Sequence, residues 1–410
     1  MSIWRMVSVL SLILIVATGA SASSHQIIVK CTYGADINRI AAAYGGTVQD
    51  YIPGSSTWLL SASFLPSSTP QDVVYAEVNL NVSASFGTGR IVSTKSPADW
   101  YRLQPALKLI RADAVNSISS GRSVVIADIN SLVDYSHPSL AGHLTGGYDF
   151  VLGKPSATTA TLNQADASFL DQADASFLDQ SSSAFLVQSS ASVLNQADAS
   201  FLDAGNPAHG HGTLVAGIMA GVAPRAMIMP LRVFDDQGGA DIFTISKSIY
   251  WAVQHGARVI NMSFGTLEYS RTLQNAINFA NEEEVVLVAS AGNNNTSTPQ
   301  YPAAFSNVLA VSATDLNDRK AAFSNHGPQI FVDAPGVNII SSYPGGYYAL
   351  VSGTSFSAPI VAAEAALMLS RMEFSKSKIG NGVVDIRSLN PVYSNALGRG
   401  RVDFVYALKQ

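Results

Sequence analysis

Residues 353–359 read Gly-Thr-Ser-Phe-Ser-Ala-Pro, and the mostly apolar residues 360–372 follow them. Small residues around Ser355 and the apolar run behind it predict a helix that begins close to this serine. At the start of a helix, backbone N–H groups and the positive end of the helix dipole lie near the side chain. A serine hydroxyl is a weak nucleophile until a base lies beside it. The stretch therefore predicts a nucleophilic serine whose basic partner comes from another part of the chain.

A candidate base lies upstream, in residues 209–217, which read His-Gly-His-Gly-Thr-Leu-Val-Ala-Gly. Further upstream, the apolar run at residues 124–127 ends in the carboxylate of Asp128. The order Asp, His, Ser is one of the orders in which catalytic triads have arisen on unrelated folds.

At these motifs the chain resembles the subtilisin-like serine proteases, or subtilases, over about residues 95–410. The resemblance implies a three-layer α/β fold with a parallel sheet between helices, and peptide hydrolysis through a Ser-His-Asp triad. The family's spacing His-Gly-Thr-x-Val-Ala-Gly fits His211 as the general base. His209 is then interpreted as a loop residue.

Two further segments resemble the subtilase substrate cleft. Residues 259–265 resemble the substrate-binding strand, and residues 288–293 resemble the strand that ends in the oxyanion-hole asparagine. The resemblance implies that Asn293 donates its amide to the oxyanion, and that Gln300 lies near the floor of the pocket for the residue before the cleaved bond. The implied substrate-binding residues are Ser263, Phe264, Gly265, Ser290, Ala291, Gly292 and Gln300.

The acidic member of the triad can be placed in two ways. Counting back from His137 and Pro138 without gaps puts Asn130 in the catalytic place, whereas counting forward from Gly121 puts Asp128 there. We favour Asp128, because the gapless alignment would bury an unpaired carboxylate inside a central strand, which is costly. The family's glycine after the aspartate is missing in both alignments. Asp134 is interpreted as a loop residue.

Independently of the resemblance, strands and helices alternate along the second half of the chain. Residues 226–233, 257–262 and 285–289 are predicted to be strands, and residues 241–255 a helix. This alternation predicts an α/β fold with a parallel sheet covered by helices on both faces. Catalytic groups should then lie at the carboxyl ends of the strands.

The N-terminal part predicts an exported precursor. Residues 1–22 have the features of a signal peptide, namely an early arginine, a short apolar run and a small-residue cleavage site. Residues 23–94 predict a small α+β unit with a linker, with strands at residues 26–30, 57–62 and 73–77 and a helix at residues 35–44. They resemble subtilase propeptides; a permanent accessory domain is the alternative. Residues 83–100 are rich in Ser, Thr and Gly and predict an exposed, cleavable linker.

An insertion at about residues 154–206 contains an eight-residue repeat. Copies that begin with Gln occur through residues 164–203, and each carries an apolar pair such as Phe177 and Leu178. Two interpretations are open. The copies form an ordered stack beside the active-site rim, or they form a flexible low-complexity loop.

Composition excludes several classes of protein. The chain of 410 residues is 47% hydrophobic and 13% charged with a net charge of −5, which argues against disorder and nucleic-acid binding. Cys31 is the only cysteine, so no intrachain disulfide forms. No stretch after the signal peptide predicts a membrane span. The expected chemistry needs no cofactor, and structural calcium is possible but has no clear acidic cluster to bind it.

The sequence thus predicts a secreted serine endopeptidase made as a self-processed zymogen. Its expected partners are polypeptide substrates and its own propeptide, acting as an intramolecular inhibitor. The alternative is a catalytically weakened subtilase-like protein that binds peptides or partners, with the repeat as interaction surface. The identity of the acidic residue beside His211 separates the two.

Overall fold

The computed structural model describes residues 25–64, 66, 68–83, 87–94, 100–115, 117–156 and 208–409. The predicted signal peptide and the eight-residue repeat lie outside these residues, so both remain predictions. Within the described part of the chain, no helix is both long enough and apolar enough to cross a bilayer.

The N-terminal unit is a four-stranded antiparallel sheet with one helix. Its elements are β1 (His25–Cys31), α1 (Ile37–Ala43), β2 (Thr47–Ile52), β3 (Thr57–Ala62) and β4 (Val73–Val78), with the strands in the order β2-β3-β1-β4. The helix and three of the strands match the sequence prediction. The prediction missed β2, because most of its side chains remain at least partly exposed and it lacks an apolar run. Two short strands follow, β5 (Asn81–Ser83) and β6 (Thr88–Thr94).

A ten-stranded sheet forms the centre of the larger part. The strands that follow β6 are β7 (Val125–Asn130), β8 (Tyr148–Asp149), β9 (Lys154–Pro155), β10 (Met227–Arg232), β11 (Gly239–Asp241), β12 (Val259–Met262), β13 (Val286–Ser290), β14 (Val308–Thr314), β15 (Val332–Pro335), β16 (Ile339–Tyr343), β17 (Tyr347–Ser352), β18 (Val383–Val384) and β19 (Arg401–Val402). All of them except β11, β16 and β17 belong to the ten-stranded sheet. The sheet order is β18-β19-β15-β14-β13-β12-β7-β10-β8-β9, and all neighbours from β19 to β8 are parallel. The predicted parallel sheet is confirmed.

Helices cover both faces of this sheet. They are α2 (Pro105–Leu109), α3 (Ala112–Val115), α4 (His211–Val222), α5 (Ile242–Gln254), α6 (Arg271–Glu282), α7 (Thr354–Leu369), α8 (Lys376–Asn381) and α9 (Phe404–Leu408). Buried side chains of α4 and α7 form one core with one face of the sheet, and those of α5 and α6 form a second core on the other face. The expected three-layer α/β architecture is therefore confirmed.

Part of the predicted exposed linker is regular structure. β6 pairs with β17, which pairs with β16, to give a three-stranded antiparallel sheet, and β5 pairs with β11. The prediction of an exposed linker is wrong for residues 88–94, because their backbone groups pair with the edge of β17.

Glu364 is a buried acid inside α7. Its side chain is fully buried, and among the described residues neither carboxylate oxygen has a hydrogen-bond partner. Burial, followed by the negative charge of Asp403, raises the pKa of Glu364 well above its usual range. Asp403 itself is ion-paired with Arg111. Glu364 thus remains protonated in the folded protein at pH values at which the unfolded chain has lost this proton.

We expect Glu364→Gln to reduce the fall in the free energy of unfolding as the pH rises into the alkaline range. A folded-state pKa above the unfolded value stabilises below the unfolded pKa, and this contribution is lost as pH rises toward the folded pKa. The loss is about 1.4 kcal/mol per pH unit in which only the unfolded state is ionised. Urea unfolding at pH 5 and pH 9 measures it, with the exposed Glu283→Gln as control. Equal pH dependence in Glu364→Gln and the parent protein would contradict the assignment.

Candidate active site

The candidate residues lie where strands end and helices begin. Asn130 is the last residue of β7, His211 is the first residue of α4, and Ser355 is the second residue of α7. Ser263 directly follows β12, and Ser290 ends β13. In a parallel sheet these carboxyl ends meet along one edge, as the sequence analysis expected.

The side chain in contact with His211 is Asn130. The Nδ1 atom of His211 lies 2.7 Å from the Oδ1 atom of Asn130. Burial lowers the pKa of His211 to about 3, so the ring is neutral at neutral pH, as a general base requires. The prediction that Asp128 faces His211 is wrong, because β7 continues to Asn130 and leaves Asp128 one residue pair inside the strand.

Asp128 is tolerated inside the strand because it is paired. Side chains two apart in a strand share a face, so Asp128 lies behind Asn130, and the Nδ2 atom of Asn130 lies 3.3 Å from both carboxylate oxygens. Asn261, opposite Asp128 on β12, donates from its Nδ2 atom to Asp128 at 2.9 Å. Burial raises the pKa of Asp128 to about 7, and these two hydrogen bonds partly oppose the rise. Under the gapless alignment the sequence predicted an unpaired carboxylate at this position, whereas the amides of Asn130 and Asn261 pair with it.

Ser131 ties the end of β7 to the start of α4. Its hydroxyl donates to the carbonyl of Ala208 at 2.8 Å and accepts from the backbone N–H of Gly212 at 3.1 Å. A Cβ atom at Gly212 would lie 2.5 Å from the carbonyl oxygen of Ser131, so only glycine permits this approach. The contact between His211 and Asn130 is thus fixed by backbone as well as by side chains.

Ser355 is held against the end of β12 on the same side of the sheet. Its hydroxyl lies 3.3 Å from the carbonyl oxygen of Ser263, and the hydroxyl of Ser263 donates to the carbonyl of Ser355 at 2.9 Å. The ring of His211 lies 5.7 Å from the ring of Phe356, between centroids. His211 is therefore packed against the residue next to Ser355.

Asn293 is oriented by the residue before Ser355. Its Oδ1 atom accepts from both the backbone N–H and the hydroxyl of Thr354, each at 2.9 Å. Its Nδ2 atom lies beside Gly353, 3.5 Å from where a Cβ atom would be. With Oδ1 occupied in this way, Nδ2 is the group placed to donate at the start of α7.

The predicted substrate segments lie on either side of Gln300. A Cβ atom at Gly265 would lie 2.9 Å from the Oε1 atom of Gln300, and one at Gly292 would lie 2.2 Å from it. The Nε2 atom of Gln300 lies 3.3 Å from the Oδ1 atom of Asn294. Gln300 thus fills the space between the two segments. Phe264 is buried in the core and packs on Phe234, so its backbone rather than its ring is available to a peptide.

Three other residues lie outside this arrangement or were missed. Asp134 accepts from the backbone N–H groups of Ser136 and Gly345, which agrees with a loop role. His209 packs edge-on against Tyr343 in the turn before α4. The sequence analysis missed Asn325, whose side chain is buried and binds the backbone at Ala291, Asn294 and Thr296. Its only local signal is a position after a turn, which does not separate it from other asparagines.

No metal site is apparent in the part of the chain that the structure describes, since no group of three or more His, Cys, Asp or Glu side chains could hold an ion there. The expectation of a possible calcium site therefore has no location among these residues.

A profile described as the Subtilase family (peptidase S8) matches residues 121–398. The chain belongs to this family. A subtilase usually carries an aspartate where this chain has Asn130, and the departure lies at the atom pair that orients His211.

Several relatives support the assignment. The chain is 42% identical over 172 residues to a thermostable alkaline protease of Halalkalibacterium halodurans, covering 40% of this chain and 48% of that protein. It is 36% identical over 263 residues to a thermophilic serine proteinase of a Bacillus species, covering 62% and 53%. Thermitase of Thermoactinomyces vulgaris is 34% identical over 272 residues, covering 64% and 80%. The chain thus spans about half the length of the first two.

Among solved structures, fervidolysin from Fervidobacterium pennivorans, a keratinolytic enzyme related to subtilisin, is similar in fold. The TM-score is 0.73 at 24% identity, and the match covers 95% of this chain and 61% of fervidolysin. The similarity extends over both the N-terminal unit and the subtilase domain.

Proposed function

We propose that this subtilase is a secreted serine endopeptidase, made as a zymogen that processes itself. Ser355 is the nucleophile, His211 the general base and acid, and Asn293 the donor to the oxyanion. Ser263, Phe264, Gly265, Ser290, Ala291, Gly292 and Gln300 form the cleft for an extended polypeptide. The named activities of the relatives, alkaline protease and serine proteinase, support this proposal.

The observation that carries the proposal is the shared position of the three groups at one edge of the sheet. Two helices begin there, one with His211 and one with Ser355, and Thr354 orients Asn293 toward the same place. A hydroxyl, a neutral imidazole and an amide donor are the groups that acyl transfer needs.

The N-terminal unit is docked on the subtilase domain through helix starts. Glu77 accepts from the hydroxyl of Ser270 and from the backbone N–H groups of Arg271 and Thr272, at 2.7–3.0 Å. Asn79 accepts from the backbone N–H of Phe243 at 3.0 Å. A carboxylate at a helix N-terminus is favourable because the dipole is positive there. The N-terminal unit thus supplies hydrogen-bond acceptors to the first turns of α5 and α6.

The chain then continues as an added strand on the edge of β11. β5 pairs antiparallel with β11, and Val82 is buried in the same core as Phe234 and Phe264. Added strands of this kind are a common mode of peptide recognition. Gly87 lies against the carbonyl of Ser352 and the ring of Phe356. These contacts support an inhibitory propeptide that ends in the cleft.

We expect self-cleavage between Ser83 and Gly87 rather than near residue 94. The flanks of this interval lie on β11 and beside α7, whereas β6 is part of a sheet with β17. N-terminal sequencing of the mature protein measures the cut. A mature chain that begins at residue 95 or later would contradict this location, and a precursor that matures normally as Ser355→Ala, purified free of other proteases, would contradict self-cleavage.

A second candidate function follows from Asn130. Without a carboxylate on His211, the protein could bind peptides and turn them over only slowly, so that it acts as a binding module. Asp→Asn at the triad acid of a chymotrypsin-type protease lowers kcat by about 10⁴ because the amide selects the wrong tautomer of the histidine.

Labelling with a fluorophosphonate probe tests the proposed function. The mature protein should be labelled at Ser355, as located by mass spectrometry, and should hydrolyse an unfolded protein substrate. The Ser355→Ala variant is the control. Absence of labelling at Ser355 would contradict the proposed endopeptidase, whereas slow labelling with peptide binding and no measurable turnover would favour the binding module.

A further inference from the structure

An asparagine beside a catalytic histidine has two possible orientations with opposite consequences. If the amide nitrogen faces the imidazole Nδ1, it donates and leaves the proton on Nε2, so the ring cannot accept the serine proton. If the amide oxygen faces Nδ1, it accepts, and the proton stays on Nδ1. The orientation of the amide of Asn130 therefore decides whether His211 can act as a base.

Two contacts of Asn130 fix this orientation. The backbone N–H of Ser131 lies 2.8 Å from Oδ1 of Asn130, and a backbone N–H can only donate, so this atom is the oxygen. On the other side, the carboxylate of Asp128 lies 3.3 Å from Nδ2 of Asn130 through each of its oxygens. Above its pKa of about 7 Asp128 can only accept hydrogen bonds, so the atom facing it is then the nitrogen. The two contacts agree.

We propose that Asp128 is a positioning residue that holds the amide of Asn130 with its oxygen toward His211. The proton of the neutral imidazole then resides on Nδ1, and Nε2 is left as the base. This inference rests on the proposed function for its catalytic meaning, but the orientation and the tautomer are properties of the folded chain alone.

The reaction requires no proton transfer from His211 to Asn130. When Ser355 attacks a peptide carbonyl, its proton passes to Nε2 of His211, and the same proton later passes to the leaving amine. The Nδ1 proton remains hydrogen-bonded to Oδ1 of Asn130 throughout. Asp128, which accepts from Nδ2, polarises the amide so that its oxygen is more negative toward the imidazolium.

The second amide on Asp128 holds the carboxylate in place. Asn261 donates to Asp128 at 2.9 Å and to the hydroxyl of Ser263 at 3.0 Å, and Ser263 is bonded to Ser355. The same polar network thus runs from the serine to the carboxylate and back to His211 through Asn130. A carboxylate two residues before the family's usual place is connected to both ends of the site.

The first test is a direct observation of the tautomer. In ¹⁵N-histidine-labelled full-length Ser355→Ala protein, which cannot digest itself, the His211 signals are assigned by comparison with a His211→Gln variant. At neutral pH we expect the proton on Nδ1. A proton on Nε2 would overturn the proposal without any further variant.

The second test removes the acceptor. Asp128→Ala should shift the tautomer of His211 toward Nε2–H and lower kcat at least tenfold with little change in KM. Asp128→Asn, which keeps an oxygen that can accept from Asn130, should lose less. Asp333→Asn is the matched control, because Asp333 is another buried carboxyl of the sheet, bonded to Ser312, away from His211. An unchanged tautomer in Asp128→Ala would overturn the proposal.

A double-mutant cycle supplies a readout that general destabilisation would not produce. In an Asn130→Asp background both side-chain oxygens accept, so no amide orientation is left to fix. The effect of Asp128→Ala on kcat should therefore shrink severalfold there. An equal effect in both backgrounds would overturn the positioning role. If the tautomer shifts as expected but no variant hydrolyses peptides, the positioning role stands and the proposed function fails.

Discussion

Ser355→Ala is expected to lower kcat by more than 10⁴, and toward 10⁶, with KM little changed. In subtilisin, loss of the serine or the histidine costs about 2 × 10⁶ in kcat, and loss of the aspartate alone about 3 × 10⁴. If Asn130 served His211 no better than a missing aspartate, kcat of the parent protein would already be lowered by about 3 × 10⁴, and Ser355→Ala would lower it by only about 10² more. A larger drop would show that His211 is an effective base in this chain.

The matched control for this prediction is Ser357→Ala. Ser357 lies on the same helix and is fully buried, but its hydroxyl donates to the carbonyls of Ala334 and Pro335, away from His211. Steady-state hydrolysis of a short peptide, measured on mature protein and on chain processed in trans where needed, gives both constants. Loss of activity in both variants, or in neither, would contradict the role of Ser355.

Asn293→Ala is expected to lower kcat by about 10²–10³, again with little effect on KM, because its amide binds the oxyanion and not the ground-state carbonyl. Since Thr354 occupies the side-chain oxygen of Asn293, the variant also loses a structural contact. Asn293→Asp separates the two roles, because it keeps an acceptor for Thr354 but has no amide donor.

Both Asn293 variants should therefore lose kcat, Asn293→Asp by the larger factor because its carboxylate repels the oxyanion, whereas thermal unfolding should show a loss of stability mainly in Asn293→Ala. Recovery of near-normal kcat in Asn293→Asp would mean that Asn293 acts through Thr354 and not on the oxyanion.

Local features of the sequence predicted the parallel sheet and the helix that begins near Ser355, whereas His211 and Asn293 were singled out by the family resemblance. Apolar runs form buried strands, and a small-residue turn before an apolar helix exposes a side chain. The partner of His211 could not be predicted in the same way. Whether Asp128 or Asn130 ends β7 depends on whether a neighbouring strand supplies an amide, and Asn261 lies more than 130 residues away along the chain.

The exposed-linker prediction failed for a related reason. Residues 88–94 lie within a longer stretch rich in Ser, Thr and Gly, and the prediction overlooked their own Ile91 and Val92; they form a strand on the edge of β17, which is about 260 residues further along. Edge pairing leaves little trace in composition, since the backbone makes the bonds. Likewise, the position of Gln300 between Gly265 and Gly292 depends on the path of a loop, which the family spacing predicted only approximately.

If the chain is processed as proposed, the contact between Glu77 and the start of α6 is present while the chain folds and absent from the mature protein. The first turn of α6 has its own cap, Ser270, but it also takes a carboxylate from a unit that maturation would remove. After such a release that turn would return its N–H groups to water, and we expect a mature chain that has unfolded to refold too slowly to recover. The lifetime of the mature protein would then be set by the height of the unfolding barrier. Substitutions would change its half-life through this barrier and not through an equilibrium constant.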